Sequence, residues 1–443
     1  MRKGIFYHVN ILLISFQKDL ITIGLKYLHC SLLQNGYEST VLYLPDYSKR
    51  ERSGADTIKR FIMELDPGII GISLMSIEYH AAAGLTGRIK SFAKDTPVIW
   101  GGIHPTISPE SCLAHADYVC VGEGEGTMLD AARAVEKKGS LAGINNLCYL
   151  EDGRLKKNPL YPLIEDLDGI PSYEHIPRNS FILDGKTVRK LDRRVFKRYA
   201  RHLGRVYSVI TTRGCPYFCT YCCNNFISRL YGSSRIRRRS IENVMEELEM
   251  AVKDNPEIEY INFLDDCFLA CAEYHLKRFC GTYDKRVGRP FVAKAIPAYI
   301  TEAKLMTLKE AGLAWIQMGL QSGSDRVCRD IYKRRSSSED FLKAAAAINR
   351  LEIAPYYDII LDNPFETEED RLCTLRTLMK TPKPFYAQFY SLTFYPGTEI
   401  YEMAKSEKPG CIEDCLTKDY FAPRKNAMNG MIRLAPFIGE RYL

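Results

Sequence analysis

Short, almost wholly apolar runs alternate with stretches of helical period along most of this chain. In the first third the runs fall at 10–15, 39–44, 68–76, 97–102 and 118–122. The periodic stretches fall at 22–35, 55–65, 79–93 and 108–115, with another after 125. Strands that are apolar at nearly every position are covered on both faces. Their alternation with helices predicts a Rossmann-like, doubly wound parallel sheet over residues 1–140. A second alternating region begins at Val206. Strands are expected at 206–211, 260–264, 291–295, 315–320, 357–361 and 386–393. Helices are expected near 240–252, 273–285, 302–311, 339–351 and 367–380, the first capped by Ser240. Six such units predict a partial (β/α)6 barrel over 206–405, followed by a short helical tail over 406–443.

The stretch between, 141–205, reads as a linker. Residues 145–150 and 154–158 are expected to form a hairpin turned at Glu151-Asp152-Gly153. From Leu163 to Pro177 the chain is punctuated by proline. From Val188 the apolar positions Val188, Leu191, Val195 and Tyr199 are separated by Arg189, Lys190, Arg193, Arg194, Lys197 and Arg198, with Arg201 beyond. That spacing predicts a basic amphipathic helix. It would meet an anionic membrane surface or anionic substrate, or lie as a solvated face packed on the next domain.

At 443 residues the chain is long enough for two or three domains, and 46% apolar with 26% charged residues is a globular balance. The fifteen cysteines are irregularly spaced, so reduced thiols of a cytoplasmic protein are expected rather than a disulfide framework. The N-terminal run 5–16 resembles a signal peptide only superficially, because His8 and Asn10 interrupt it and no A-x-A-like site follows. No apolar stretch is long enough to span a bilayer. The net charge of +7 clusters at 186–205 and 229–239, too weak a bias to argue for nucleic acid.

Cys215, Cys219 and Cys222 lie in Thr-Thr-Arg-Gly-Cys-Pro-Tyr-Phe-Cys-Thr-Tyr-Cys, a C-x3-C-x2-C spacing with Tyr221 before the last thiol. Such a loop offers three ligands and no fourth. An iron–sulfur cube held this way keeps one iron free, whereas structural zinc wants four closed ligands. Gly214 and Pro216 suit the sharp turns of a wrapping loop. Cys223 reads as a small buried hydrophobe. Cys267 with Cys271, and Cys411 with Cys415, are four apart and would share a helix face; they read as buried thiols rather than a second cluster.

The cysteine run resembles the cluster loop of the radical S-adenosylmethionine (SAM) enzymes. The resemblance implies a [4Fe–4S] cluster on Cys215, Cys219 and Cys222, with SAM on the open iron near Tyr221. It implies reductive cleavage of SAM to a 5′-deoxyadenosyl radical, with electrons from an external donor of flavodoxin or ferredoxin type. Asp265-Asp266 closes the second barrel strand, where the pair would hold the SAM amino group or orient substrate, or form an acidic helix N-terminus. Gly319-Leu320-Gln321-Ser322-Gly323-Ser324 resembles the G-x-E-S-G-S segment facing SAM, with Gln321 in place of Glu. Asp362-Asn363-Pro364 with Glu366-Thr367-Glu368-Glu369, and Tyr395-Pro396-Gly397-Thr398 with Ile400-Tyr401, resemble the segments after the fifth and sixth strands.

The first domain resembles cobalamin-binding domains, which carry D-x-H-x-x-G, then S-x-L, then G-G. Asp19 to Gly24 keeps the first frame but has Ile21 in place of the histidine, so this position offers cobalt no imidazole. Ser73 and Met75 stand at the second motif and Gly101-Gly102 at the third, with Gly122-Glu123 closing the fifth strand. His104 is a substitute ligand or a histidine satisfied within its loop. Together the resemblances imply a cobalamin-dependent radical SAM enzyme that methylates an unactivated carbon of a small-molecule substrate. Cyclisation or rearrangement without methyl transfer is the alternative, and a non-enzymatic cobalamin or redox sensor the third reading. The apolar basic stretch 431–443 is shorter than the C-terminal region the resemblance implies.

Overall fold

The computed structural model describes residues 9–47 and 54–438. The opening of the signal-like run and the last residues of the tail lie outside the described residues. The chain divides into two compact units, Met1–Arg205 and Val206–Leu443.

The first unit is built on β1 (Asn10–Ser15), β2 (Glu38–Tyr43), β3 (Ile69–Ser73), β4 (Val98–Gly101) and β5 (Tyr118–Cys120). Between them run α1 (Ile23–Gln34), α2 (Ala55–Leu65), α3 (Tyr79–Phe92), and the short α4 (Ile103–Ile107) and α5 (Pro109–Cys112). Of the helix expected near 108–115 only the four-residue α5 forms, the second of two short helices here, with α4 lying before that span. Pro109 opens the second, because a proline lacks the N–H that a continuous helix would need there. Helix α6 (Glu125–Glu136) follows β5.

These strands are parallel in the order β5-β4-β3-β1-β2. Ile11, Leu12, Leu13 and Ile14 are fully buried, as covering on both faces requires. The chain winds outward in opposite directions from β1 and β3, so the crevice outside their carboxyl ends is where a ligand of such a sheet sits.

Residues 141–205, expected as a linker, instead extend this sheet. β6 (Leu147–Glu151) and β7 (Arg154–Lys157) form the expected hairpin and pair antiparallel on β5. β8 (Ser180–Asp184) pairs parallel with β2, and β9 (Thr187–Lys190) returns antiparallel on it. The expected basic helix is therefore half strand. Gly185, at φ 62°, turns the β8–β9 hairpin, and Asp192 caps a shorter α7 (Arg193–Tyr199) by accepting from Val195 N. Val195 and Phe196 are buried in the core of this unit while Arg193, Arg194, Lys197 and Arg198 face solvent.

In the second unit β10 (Val206–Val209), β13 (Tyr260–Phe263), β14 (Phe291–Ala295), β15 (Leu313–Gln321), β16 (Ala354–Leu361) and β17 (Tyr386–Ser391) are parallel neighbours in chain order, the partial barrel expected. A two-residue ribbon, β11 (Thr212–Arg213) with β12 (Arg237–Arg238), stands beside the first strand. The helices are α8 (Cys223–Tyr231), α9 (Ile241–Asp254), α10 (Glu273–Arg286), α11 (Glu302–Glu310), α12 (Ser338–Arg350), α13 (Glu368–Lys380), α14 (Glu399–Glu407) and α15 (Ala427–Leu434). Ser240 caps α9 as expected, accepting from Asn243 N at 3.1 Å.

Strand alternation buries Ile261, Phe263, Ala293, Ile316, Met318, Tyr357 and Ile359. It leaves Asn262, Lys294, Gln317, Asp358, Gln388 and Tyr390 on the other, partly open face. Cys267 and Cys271 do not share a helix face, because they lie in the turn after β13; Cys411 ends a single 3-10 turn and Cys415 lies beyond it. None of the fifteen cysteines forms a disulfide.

Candidate functional site

The chain leaves β10 directly into the three-cysteine loop. Its base is clamped by Asp265 at the end of β13, whose Oδ1 accepts Thr211 N at 2.9 Å, Thr211 Oγ1 at 3.0 Å and Thr212 Oγ1 at 2.5 Å. The β11–β12 ribbon closes the loop on its other side. Gly214, at φ 104°, passes so close to the segment leading into β12 that a Cβ would lie 2.6 Å from Arg235 O, so only glycine fits here. The far end of the loop is tied to the segment after β15. Thr220 N donates to Tyr332 O at 3.1 Å and Thr220 Oγ1 to Ile331 O at 2.7 Å. Cys222 then caps α8, which starts at Cys223.

Cys215 and Cys219 are buried, and each feels the charge of Cys222, so the three thiols share one neighbourhood. Burial pushes the Cys215 thiol up to about 12 and raises that of Cys219, which the guanidinium of Arg334 opposes. Thiols so placed stay protonated until a metal displaces the proton. Cys223 hydrogen-bonds with Cys222, so it is a neighbour of the loop and not only a core residue.

Among the described residues no three His, Cys, Asp or Glu side chains close around a single metal ion. Ligands that each take one corner of a cube need not converge on one point, and the three thiols of the C-x3-C-x2-C loop fit an iron–sulfur cube with one open iron. Arg334, 7% exposed, supplies a buried positive charge against such an anionic group. Its Nη2 donates to Gly319 O at 2.8 Å, its Nη1 reaches Tyr221 OH at 3.4 Å, and its Nε is buried with no partner.

The other residues expected at SAM separate into two sets. Tyr221 stands at the loop, its ring edge-on to Tyr332 at 5.0 Å. Asp266 is exposed and interacts with Asn224 and Lys294. Asp265 is fully buried under the loop, which corrects the expectation that both carboxylates are open. Burial raises its pKa against the pull of the two threonines, and its Oδ2 has no partner. Gln321 ends β15 at a register shift, with φ 67°. Ser322 is buried and donates to Glu366 Oε1 at 2.9 Å, an internal bond; burial pushes the Glu366 carboxyl up to about 7.

Arg334, Lys294 and Asp358 are the residues that sequence reasoning missed. Asp358 accepts from Gln317 Nε2 at 2.8 Å and Tyr390 OH at 3.3 Å, and burial raises it to about 6. Alternation along β14 and β16 could have found Lys294 and Asp358. Nothing local marks Arg334, which meets a tyrosine 113 residues away.

In the first unit, the residues expected at cobalamin line the carboxyl ends of four adjacent strands. The turn after β1 holds Asp19, whose Oδ1 accepts Ile21 N at 3.2 Å, and leads to the exposed Gly24. Leu20 and Thr22, flanking Ile21, adopt φ of 57° and 27°, strained values for residues with a β-carbon. Ser73 and the exposed Met75 follow β3, and Gly101-Gly102 end β4. Gly102, at φ 99°, lies so close to the β3 turn that a Cβ would stand 3.0 Å from Leu74 O.

His104 is 2% exposed; its Nδ1 pairs with Ser76 Oγ at 2.9 Å while its Nε2 has no partner. It is thus half satisfied within its loop, and burial lowers it to about 4, so it is neutral. Glu78, also unforeseen, accepts Met75 N at 2.8 Å and is raised to about 7 by burial. Gly122 N donates to Thr106 Oγ1 at 3.0 Å, and Glu123 Oε2 accepts Ile164 N at 3.0 Å. A switch-point crevice with two glycine-bearing turns and a partnerless buried imidazole nitrogen suits a large polar ligand such as a corrinoid.

A six-stranded parallel barrel that feeds a three-thiol loop from its first strand defines the radical SAM class of fold. Residues 209–378 match the radical SAM superfamily, and residues 9–132 match the B12 binding domain. The chain is a cobalamin-binding-domain-containing radical SAM enzyme, and its cofactors are a [4Fe–4S] cluster, SAM and cobalamin.

It is similar to the uncharacterized methyltransferase PH0819 of Pyrococcus horikoshii, 28% identical over 352 residues, which are 78% of this chain and 71% of that protein. It is 23% identical over 364 residues to the anaerobic magnesium-protoporphyrin IX monomethyl ester cyclase of Rubrivivax gelatinosus, covering 78% of this chain and 60% of the cyclase. Its fold is that of the radical SAM methyltransferase TsrM of Kitasatospora setae, with TM-score 0.73 at 18% identity over 90% of this chain and 76% of TsrM. Among the described residues no helix is long and apolar enough to cross a membrane.

Proposed function

We propose that the protein is a methyltransferase acting on an unactivated carbon of a small molecule. The observation that carries the reading is the three-thiol loop at the carboxyl end of β10, clamped below by Asp265 and faced by the buried Arg334. When bound, the cluster supplies the electron that cleaves SAM, and the corrinoid supplies the methyl group.

The protein's own part is positional. Cys215, Cys219 and Cys222 hold the cluster, and Arg334 balances its charge. Tyr221, Gln321 and Asp266 line the place of SAM, while Asp265 and Ser322 hold the walls of that place. Asp19, Gly24, Ser73, Met75, Gly101, Gly102, His104, Gly122 and Glu123 form the corrinoid face of the first unit. Ile21, standing where the resemblance would place an imidazole, would offer cobalt no ligand.

Methyl transfer is favoured because the relative PH0819 is named a methyltransferase. The second reading, a radical cyclisation, is favoured by the similarity to the cyclase. A flavodoxin- or ferredoxin-type donor and a cytoplasmic location complete the proposal. Contact with an anionic membrane surface would rest on charge alone, because the apolar side of α7 is used in the core.

Anaerobic reconstitution with cobalamin and SAM, followed by mass spectrometry of candidate substrates, separates the readings. Methyl transfer yields S-adenosylhomocysteine, 5′-deoxyadenosine and a product heavier by one CH2. A cyclase yields 5′-deoxyadenosine alone, and a protein that never cleaves SAM under any substrate is neither.

A further inference from the structure

A basic pocket lies over the carboxyl ends of β16 and β17, the edge of the barrel that also bears the cysteine loop. Its volume is about 160 Å³, roughly ten times the space that one water needs. The segment after α14 forms its roof. Lys418 Nζ donates to Leu392 O at 2.6 Å, and Ser391 N to Tyr420 O at 2.8 Å.

Asp362, which follows β16 at φ 61°, locks that roof in place. Its Oδ1 accepts Asn429 Nδ2 at 2.8 Å; its Oδ2 accepts Ser391 Oγ at 2.7 Å and Arg424 N at 2.9 Å. The carboxylate is therefore fully engaged by the protein.

Three cations line the same pocket: Arg371, Lys418 and Arg424. Glu413 pairs with two of them, Lys418 at 3.1 Å and Arg424. Arg371 is on the first turn of α13, and its Nη2 donates to Glu366 O at 3.2 Å. Its Nε is buried with no partner. A guanidinium presents a planar fork of donors that matches a carboxylate or phosphoryl group, and a buried donor without an acceptor is costly until one arrives.

We propose that this pocket binds the carboxylate or phosphoryl group of the substrate. The substrate is then an organic anion, anchored at Arg371 with its reacting carbon carried toward the barrel mouth. This deepens the methyltransferase reading and rests on it for the word substrate; anion binding itself can be measured apart from any chemistry.

The test is calorimetric titration of the anaerobically reconstituted full-length protein with inorganic phosphate and, separately, with acetate, each with and without saturating SAM. One anion per chain is expected, unaffected by SAM, and the tighter of the two probes names the group. Arg371→Gln should weaken binding by about tenfold or more. Arg371→Lys should fall between, and Arg376→Gln on the same helix, whose partner Glu369 is outside the pocket, should change nothing. Arg424→Gln, at a side chain 63% exposed, reads the pocket without burdening the core and should also weaken the anion.

Iron content and basal SAM cleavage of Arg376→Gln, outside the pocket, should match those of the unmodified protein. Absence of anion binding, equal binding by Arg371→Gln and Arg376→Gln, or displacement of the anion by SAM would overturn the proposal. Absence of iron or of SAM cleavage, with anion binding intact, would instead strike the methyltransferase reading.

Discussion

Gly214→Ala puts a number on how tightly the cysteine loop is wrapped. Two costs add at this position. The φ of 104° is a backbone state that an L side chain resists, at about 1–2 kcal/mol. The new Cβ would also stand 2.6 Å from Arg235 O, a backbone atom two residues before β12. Relieving that overlap means shifting backbone, about 1–3 kcal/mol more. The total, about 2–5 kcal/mol, is a large part of the usual margin of a domain.

Gly232 is the internal control, because it too has positive φ, 62°, but nothing lies within 4 Å of its would-be Cβ. Gly232→Ala should cost only the backbone part, about 1–2 kcal/mol. The assay is the thermal midpoint of each variant together with iron bound after anaerobic reconstitution. Gly214→Ala should melt lower than Gly232→Ala and hold less than half of the iron. Equal midpoints and equal iron in the two variants would refute the account of the loop.

Further outcomes follow from other parts of the structure. Asp358 is raised to about 6 by burial, above its unfolded value. The folded state therefore binds the extra proton between about pH 4 and 6, and stability falls by about 3 kcal/mol as pH rises through that window. Asp358→Asn should abolish that slope and be the more stable protein at pH 7.5, read as the difference between urea midpoints at pH 4 and 7.5; an unchanged slope would contradict it. Arg334→Gln removes the buried cation beside Cys219 and should lower cluster retention several-fold while leaving corrinoid uptake intact, measured as iron and cobalt per chain. Gly102→Ala, at φ 99° with Leu74 O 3.0 Å from its Cβ, should weaken hydroxocobalamin binding by about tenfold or more. Gly24→Ala, with nothing within 4 Å, should not do so on steric grounds.

The central strands of both units were legible because burial on two faces leaves an unbroken apolar run; β1 lies where that run does, at Asn10–Ser15. The strand β7 was legible only through the hairpin turn at Glu151-Asp152-Gly153, and β9 was not read. They sit at the two edges of the sheet and carry Arg-Leu-Lys-Lys and Thr-Val-Arg-Lys, whose polar positions face solvent. Basic residues between apolar ones at 188–199 mimic a helical stripe, and the turn at Asp184-Gly185 was the signal that breaks it.

The cluster cysteines were legible because their spacing is local. The division between Asp265 and Asp266 was not drawn, although neighbours at a strand end point to opposite sides and only one can reach under the loop. Arg334 lies in Lys333-Arg334-Arg335, a charged run that reads as solvent-facing, and only the tertiary fold buries its middle member.

The most direct measurement of the central claim is iron content and SAM cleavage of Cys219→Ala beside the unmodified protein, after anaerobic reconstitution with cobalamin. The account predicts about four irons per chain and formation of 5′-deoxyadenosine for the unmodified protein, and loss of both in the variant with cobalamin still bound. A variant that keeps its iron and still cleaves SAM would contradict it.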